Sequence, residues 1–448
     1  MNWMRRACLF SLLLLLISMP ARAVLTIEIT QGSDEAMPIA VVPFAWGGEG
    51  EAPEQIDGII AADLQRSGFF RPLEGDDLIT RPHQASDVNY ADWRALKVNH
   101  LVVGKVLPRE DGSYTVQFQL LDVHRRQQLA GYSMRTGKSG LRRTAHQISD
   151  IIYKEITGKR GAFDTSIAYI TVTGDQADNP RYQLAIADSD GHNEQVIYQS
   201  RQPVLSPGWS PDGKQLVFVS FSRGRSEIYI QNIASGENRR LAAFEGLNSS
   251  PAWSPDGKYL AMTLSRDGNP EIYVMHIESR SLQRVTRNGA IDTEPAWLPD
   301  GKGLVFTSDR GGSPQLYEVA LNNEMRPESR PGRLTFQGRY NARASVAPDG
   351  RHIAMVHREE GNFRIGVLDR DNGQFRVLTD SRLDESPSFA PNGSMIIYAT
   401  EANYRGILAA VSVDGRAQQQ LSLQKGNVRE PAWSPLRHEA WSPLRDEE

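Results

Sequence analysis

The residue types that most often perform catalysis form no recognisable pattern in this chain. The sequence contains no G-x-S-x-G motif, which presents the nucleophile of many hydrolases, and no H-E-x-x-H motif, which binds zinc from a helix. His352 and His357 lie five residues apart near a predicted strand, so their side chains point to opposite faces and make poor joint metal ligands. The only cysteine is Cys8. These observations favour a non-catalytic protein that needs no cofactor.

Polar and charged residues recur instead at one place in a repeated phrase. The runs Asp292-Thr293-Glu294, Asp384-Glu385 and Arg429-Glu430 each stand shortly before a proline that opens the phrase. A strand buried in a core would not carry such charges, so we interpret these residues as loops that lead into the strands. Loops on a rigid scaffold are usual places for binding, whereas ordinary solvated loops are the alternative interpretation.

A repeat surrounds these polar groups and must position them. Pro-Asp-Gly occurs at 211–213, 255–257, 299–301 and 348–350, and Pro-Asn-Gly occurs at 391–393. The Asp or Asn positions are 44, 44, 49 and 43 residues apart. Proline and glycine suit the second and fourth places of a type I turn, and apolar runs such as Leu216–Val219 predict buried strands after it. Four short strands in each repeat predict a β-propeller blade.

The number of blades follows from the two ends of the repeat array. Five complete units begin near 207, 251, 295, 344 and 387. Strand patterns between 168 and 197 lack a first strand, and 431–435 supply a first strand without a blade. The two fragments complete each other, which predicts a six-bladed β-propeller over 164–436, closed by the C-terminal strand. A solenoid is the alternative, but it does not explain the split unit. The repeated tryptophans are interpreted as blade packing and not as a cofactor site.

The first 23 residues predict a secretory signal peptide. Arg5 and Arg6 precede an apolar run from Leu9 to Ile17, and an A-x-A cleavage site ends at Ala23. A membrane anchor is the alternative, but the run is shorter than the about 20 residues that cross a bilayer. Cleavage after Ala23 removes three arginines and no acidic residue, so the formal net charge falls from −4 to −7. This acidic balance argues against nucleic-acid binding.

The segment between the leader and the repeats has a different pattern. Residues 24–160 predict an N-terminal α+β domain, with a strand at Thr26–Thr30 and amphipathic helices at Pro53–Gly68 and Leu141–Ile156. A linker follows before the propeller. After the propeller, 437–448 form a C-terminal extension in which the phrase at 433–437 recurs at 441–445.

The succession of leader, α+β domain and six blades resembles the TolB family, the periplasmic propellers of the Tol-Pal system. The resemblance covers about residues 24–436 and is strongest in short phrases. These phrases are Pro38–Phe44, Ala61–Leu64, Val103–Val106, Leu205–Pro207, Thr293–Pro295 and Leu383–Ser388.

The resemblance implies a periplasmic protein that does not itself span a membrane. Family members bind the lipoprotein Pal through the propeller and TolA through the extreme N-terminal segment. They support outer-membrane integrity and membrane constriction during cell division, and other envelope proteins and colicins are further partners. The first alternative is a propeller that binds a sugar or a metal. A propeller-containing hydrolase is disfavoured, because no chain remains to build a hydrolase domain.

The resemblance also assigns site residues. The Pal-contacting loops of the family align with Leu247, Asn248, Ser250, Thr293 and Glu294. The corresponding loops of the other blades add Asn341, Arg343, Asp384, Glu385, Arg429 and Glu430. Family members can carry histidine where this chain has Leu247, which bears on the details of affinity. The N-terminal segment gives Val24, Leu25, Ile27, Glu28 and Ile29 as TolA-binding candidates.

Overall fold

The computed structural model describes residues 26–31 and residue 422 by their backbone, and residues 36–174, 179–421 and 426–437 in full. The predicted signal peptide with its cleavage site at Ala23, the candidates Val24 and Leu25, and positions 438–448 of the extension lie outside the described residues. Among the described residues, no helix combines the length and apolar composition that a bilayer crossing requires.

An N-terminal domain is built on one mixed sheet. In order across the sheet, its strands are Phe70–Pro72, Met37–Val41, His100–Pro108, Tyr114–Asp122 and Gln127–Thr136, and the short Ala45–Trp46 also pairs with His100–Pro108. Helices α1 (Ile56–Arg66) and α3 (Leu141–Thr157) cover one face, while α2 (Tyr90–Ala95) covers the other. Short 3-10 turns lie at Gly75–Asp77, Ala85–Asp87 and Lys138–Gly140. The predicted α+β domain is thereby confirmed.

The helices form where the apolar spacing predicted them. In α3, Ala145, Ile148 and Ile152 recur at helical spacing, and all three are fully buried against the sheet. Gly158 ends this helix at a φ of 76°, a conformation that other residues adopt only with strain.

Six blades surround a channel. Blade 1 contains the strands Val204–Trp209, Gln215–Ser220, Glu227–Asn232 and Asn238–Ala242. Blade 2 contains Asn248–Trp253, Tyr259–Leu264, Glu271–His276 and Leu282–Arg284. Blade 3 contains Asp292–Trp297, Gly303–Ser308, Gln315–Ala320 and Gly332–Arg333. Blade 4 contains Asn341–Val346, His352–Glu359, Asn362–Asp369 and Phe375–Val377. Blade 5 contains Glu385–Phe389, Met395–Ala402, Arg405–Ser412 and Gln418–Ser422. The first strand of each blade is its inner strand.

Blade 6 is made from both ends of the propeller sequence. Its inner strand is Asn427–Trp433, which pairs with Ser166–Thr173, followed by Arg181–Asp188 and Gln195–Ser200. The prediction of six blades closed by the C-terminal strand is confirmed. The inner strand begins earlier than the predicted 431–435, because its charged residues lie inside the strand.

The most N-terminal described strand was assigned to the wrong sheet. We expected Thr26–Thr30 to belong to the α+β domain. The structure instead pairs Thr26–Gln31 antiparallel with Gln418–Ser422, as a fifth strand on the outer edge of blade 5. An alternating pattern predicts a strand but does not reveal its partner, which explains the error.

The Pro-Asp-Gly turns join neighbouring blades. Gly257 has a φ of 71°, and a Cβ built on it would lie 3.8 Å from Pro211 of the preceding blade. Gly213 makes the equivalent approach to Pro435 at 3.5 Å. Because the approach recurs around the ring, each turn fixes the distance between two blades as well as reversing the chain.

A buried charged cluster joins the N-terminal domain to blade 6. His146 lies 2.7 Å from the Asp63 carboxylate and 3.4 Å from that of Asp190, a propeller residue. Burial acts to lower the pKa of His146, but these two carboxylates outweigh it and raise that pKa to about 10. Arg142 also pairs with Asp190, and Arg66 donates to the Ser189 carbonyl at 3.1 Å. The cluster holds the two domains in one arrangement.

Candidate functional site

The two ends of the channel differ in what covers them. The end with the Pro-Asp-Gly turns carries the N-terminal domain, as the contact of Arg66 with Ser189 and that of Asn392 with the Arg160 carbonyl indicate. All inner strands run toward this end, so the loops that lead into them lie at the other end. We call that other end the distal mouth. Its mouth loops, each counted together with the first residues of the inner strand that follows, are 201–206, 244–250, 288–294, 336–343, 380–386 and 426–430.

One residue of each inner strand has a left-handed backbone. The six are Ser206, Ser250, Glu294, Arg343, Ser386 and Glu430, with φ values of 53°, 47°, 56°, 55°, 58° and 52°. In every blade the pairing register shifts at this residue, which identifies a β-bulge. The first five of these residues line the channel, and Glu430 bonds to two of them, Ser206 and Arg343. We call the six residues the channel ring. Bulges are known to re-aim side chains, and here they place three charges in the channel.

The charges of the channel ring connect neighbouring blades and also join blade 4 to blade 6, which are not neighbours. The Glu430 carboxylate accepts from the Ser206 amide at 2.5 Å and from Arg343 at 2.9 Å. Glu294 accepts from the Arg343 amide and from the Thr307 hydroxyl, each at 2.9 Å. Burial acts to lower the pKa of Arg343, but Glu430 and Glu294 outweigh it and hold that pKa above its usual value. Blades 1, 3, 4 and 6 are thus tied together at the mouth.

Three residues that were predicted to contact a partner are inaccessible. Asn248, Asn341 and Asp384 each have no exposed surface, and they stand two residues before a channel-ring residue. Asn248 accepts from the Phe244 amide at 2.9 Å, and Asn341 donates to the Gln337 carbonyl at 2.7 Å. The alternative of a solvated loop does not describe these residues, because their side chains hold the mouth loops from inside. Their assignment to Pal binding stays a prediction.

Asp292 plays the same part in blade 3. It is fully buried and accepts from Arg310 and from Asn288, each at 2.7 Å. No cation of the described part of the chain pairs with Asp384. Thr379 donates to it instead, and burial raises the pKa of Asp384 above the usual range. A buried polar residue two positions before the channel-ring residue therefore shapes the mouth in blades 2, 3, 4 and 5.

Exposed apolar side chains lie along the part of the distal mouth that blades 2 to 5 form, and we call them the apolar rim. Its members are Leu247, Ile291, Phe336, Leu383 and Tyr404, with exposed fractions of 37%, 50%, 69%, 39% and 93%. Large apolar side chains that are grouped and rimmed by polar residues mark sites of protein association. Of this rim, only Leu247 was among the assigned site residues.

The remaining predicted residues lie between the rim and the channel. Thr293 is half-buried, and its hydroxyl accepts from Thr263 at 3.3 Å. Glu385 and Arg429 are also half-buried, and both line a cleft of about 330 Å³ beside Tyr404. Ser250, Glu294, Arg343 and Glu430 meet in the channel ring. The structure thus brings the accessible candidates to one mouth, while their binding role stays a prediction.

The TolA-binding candidates with a described backbone occupy the outer edge of blade 5. Ile27, Glu28 and Ile29 face Leu421, Gln420 and Gln419 across the pairing. This places the segment away from the channel, on a blade whose inner strand contributes Glu385 to the distal mouth.

The channel itself offers polar and apolar walls but no metal-ligating cluster. It has a volume of about 710 Å³ and is lined by the prolines and tryptophans of the repeats. Trp209 and Trp297 donate to carbonyls of the preceding inner strand at 3.0 Å, which confirms that they pack between blades. Within the described ranges, no three His, Cys, Asp or Glu side chains converge to hold a metal ion.

Sequence reasoning placed Asp292 in a mouth loop but missed its burial, its partner Arg310 and most of the apolar rim. Ile291 and Phe336 could have been found, because each is a large apolar residue inside a run of turn-forming or polar residues. The left-handed positions also had a signal, since five of the six stand directly before a proline.

Comparison with known proteins gives a consistent result. Residues 25–129 match the model of the TolB amino-terminal domain, and residues 153–437 match that of the TolB beta propeller domain. The chain is 57% identical over 430 residues to the Tol-Pal system protein TolB of Thioalkalivibrio sulfidiphilus, covering 95% of this chain and 98% of that protein. It is 53% identical over 440 residues to the protein of the same name from Xanthomonas campestris, covering 98% of each.

A solved structure agrees with these relatives. The crystal structure of TolB from Acinetobacter baumannii superposes with a TM-score of 0.85 at 40% identity, covering 92% of this chain and 100% of that one.

Proposed function

We propose that this chain, which belongs to the TolB family, is a non-catalytic periplasmic component of the Tol-Pal system. It binds Pal through the distal mouth and TolA through the segment that begins at Val24. In this role it supports outer-membrane integrity and membrane constriction during cell division, and colicins and other envelope proteins compete for the same surfaces.

The observation that carries this proposal is the combination of a rigid ring and an exposed apolar rim. The ring is rigid because Arg343 and Glu430 connect distant blades, while buried Asn248 and Asp292 fix the loops. A preorganised surface loses little conformational freedom on association, which favours affinity. The exposed Phe336 and Tyr404 supply apolar area that a partner can bury.

The charges at the mouth favour a protein partner with a complementary mixed surface. Glu294 and Glu385 bring negative charge and Arg429 brings positive charge to the same opening. Such an arrangement selects orientation more than it adds affinity. It is less suited to a sugar, for which an aromatic platform with a convergent set of hydrogen-bonding groups is the usual arrangement.

Direct binding to purified soluble Pal tests the proposal. We expect a saturable isotherm with one Pal per chain in calorimetry, and recovery of Pal when the chain is used as bait in periplasmic extract. The measurement uses the full chain, which contains both domains. Absence of heat at micromolar concentrations together with persistent absence of Pal in the pull-down would sink the assignment.

A further inference from the structure

The hairpin between the second and third strands of blade 5 contains a residue that its backbone disfavours. Ala402 and Arg405 are paired, so Asn403 and Tyr404 form a two-residue loop at the distal mouth. Both loop residues have a left-handed backbone, with φ values of 50° and 60°. Two successive left-handed residues are typical of a type I′ turn, which favours asparagine at its first place and glycine at its second. Asn403 suits its place, and Tyr404 does not.

The same hairpin of blades 1 to 4 has a glycine where the backbone turns left-handed. The four glycines are Gly224, Gly268, Gly312 and Gly361, with φ values of 81°, 119°, 93° and 86°. Blade 4 gives the closest match, because its loop also has two residues, Glu360 and Gly361, between the paired Glu359 and Asn362. Tyr404 thus stands where the neighbouring blade has glycine. A side chain is costly there, because its Cβ approaches the following carbonyl oxygen.

Contacts within the chain do not explain the tyrosine. Its side chain is 93% exposed, and within the described residues it makes no hydrogen bond, ion pair or ring contact. Residues in disfavoured conformations persist where a function requires them, and local rules of sequence fail mainly at such sites. A large ring that costs stability and packs against nothing in its own chain therefore indicates a contact with another molecule.

The surroundings of Tyr404 indicate which molecule. It lines a cleft of about 330 Å³ together with Glu385 and Arg429, both of which are candidates for Pal contact. The hairpin is also fixed to the mouth loop of blade 6, since the Gly406 amide donates to the Asn427 side chain at 2.9 Å. Tyr404 is thus an aromatic side chain on a well-supported turn, continuous with the surface assigned to Pal. Aromatic anchors of this kind often supply most of the energy of an interface.

We propose that Tyr404 is the residue on which the affinity of the distal mouth for Pal most depends, and that it lowers the stability of its own hairpin. Its ring enters an apolar recess on Pal, while the hydroxyl stays in contact with water at the edge of the interface. This inference rests on the function proposed above. It adds the residue that anchors the partner and the chemistry of the surface that receives it.

Thermal unfolding tests whether the tyrosine lowers stability. Tyr404→Gly should raise the melting temperature by about 1–3 °C. Tyr404→Asn should raise it too, because asparagine accepts a left-handed backbone more readily than tyrosine. Gly361→Tyr is the matched control: it makes the reverse change in blade 4, where a Cβ meets nothing within 4 Å, and should lower the melting temperature by a similar amount. A lower melting temperature in both Tyr404 variants would show that the ring supports the fold, and the proposal would then be wrong.

Calorimetry with soluble Pal tests whether the ring is the anchor. Tyr404→Gly and Tyr404→Asn should each raise the Kd at least about ten-fold. Tyr404→Phe keeps the ring, and its Kd should stay within about three-fold of that of the unsubstituted chain. If Tyr404→Phe loses as much affinity as Tyr404→Gly, the apolar recess is excluded.

The same titrations separate this inference from the proposed function. Equal affinities of Tyr404→Gly and the unsubstituted chain would overturn the inference, while Pal binding itself would stand. Absence of binding by the unsubstituted chain would instead overturn the proposed function, and the assignment of Tyr404 to Pal with it.

Discussion

Glu294 combines two tasks at the distal mouth. Its carboxylate accepts from the Arg343 amide and from Thr307, and it contributes negative charge to the opening. We expect Glu294→Arg to weaken Pal binding by at least about ten-fold, or about 1.4 kcal/mol. The reason is that arginine reverses the sign of the charge that position 294 presents to Pal. Calorimetry with soluble Pal measures this change.

A matched control separates the local effect from net charge. Glu278 is exposed in the turn after the third strand of blade 2, at the end of the channel away from the mouth. Glu278→Arg makes the same charge change and should leave Pal binding as it was. Equal affinities for Glu294→Arg and the unsubstituted chain would remove Glu294 from the site.

Asp150 makes the stability of the domain junction depend on pH. It is buried in α3 and accepts from the Phe163 amide at 2.8 Å and from the Asp164 amide at 3.3 Å. Burial raises its pKa to about 7, above the value of about 3.9 in an unfolded chain. The folded state therefore holds the proton more tightly, and the stability from this group is lost as pH rises from about 4 through 7.

Asp150→Asn removes this titration while keeping an oxygen that can accept from Phe163. The free energy of unfolding, measured in urea, should fall with rising pH more steeply in the unsubstituted chain than in the variant. Parallel curves between pH 5 and about 8 would show that Asp150 does not titrate in this range.

At the residue scale, the sequence reveals which positions are polar but not which are buried. Asp292 and Asp384 look like exposed loop charges, yet both are fully enclosed. Their burial depends on Arg310 and Thr379, which lie outside the local phrase and meet them only after folding.

At the scale of elements, the inner strand depends on its left-handed residue. Ser250 has a φ of 47°, where a β-branched side chain is strained. Ser250→Val should lower the free energy of unfolding by about 1–2 kcal/mol relative to Ser250→Gly. At Ser249, which has no positive φ, valine should be at least as stable as glycine. A valine penalty of the same size at both positions would contradict this explanation.

The edge strand of blade 5 carries the TolA candidates Ile27, Glu28 and Ile29. Deleting residues 24–33 should abolish TolA binding, while the propeller keeps its melting temperature within a few degrees, because Gln418–Ser422 stays paired with Arg405–Ser412. A pull-down with the soluble domain of TolA measures the loss, and circular dichroism checks the fold. Retained TolA binding by the deleted chain would refute the assignment.

Elements with strong local signals were predictable. The five Pro-Asp-Gly and Pro-Asn-Gly turns and the helix Leu141–Thr157 have sequence patterns that dictate their geometry. The start of the inner strands was not predictable, because the bulge lets a charged residue face the channel within a strand. The partner of Thr26–Gln31 lies almost four hundred residues away and leaves no local trace.

At the scale of the molecule, the two domains depend on a buried charged cluster. Asp190→Ala leaves Arg142 and His146 without their propeller carboxylate, so it should lower the free energy of unfolding by about 3–5 kcal/mol. Asp111→Ala breaks an ion pair with Arg135 in which both partners are exposed, and it should change little. Urea unfolding compares the variants, and equal losses would exclude the cluster as a joint between domains.

The architecture as a whole was predictable because the repeat count and the split unit are written in the sequence. The joint between the domains was not, since Asp63, His146 and Asp190 come from three distant segments with no shared motif. Their convergence is a property of the packed molecule alone.

Blade 6 has a consequence for biosynthesis. The ribosome makes Ser166–Thr173 before the other five blades and makes its partner, Asn427–Trp433, after them. Until the last strand is made, the first one keeps an open edge with unpaired backbone groups, to which chaperones and other chains can attach. Every interrupted chain displays this edge and every finished chain hides it. The last strand therefore distinguishes complete molecules from incomplete ones before any partner is met.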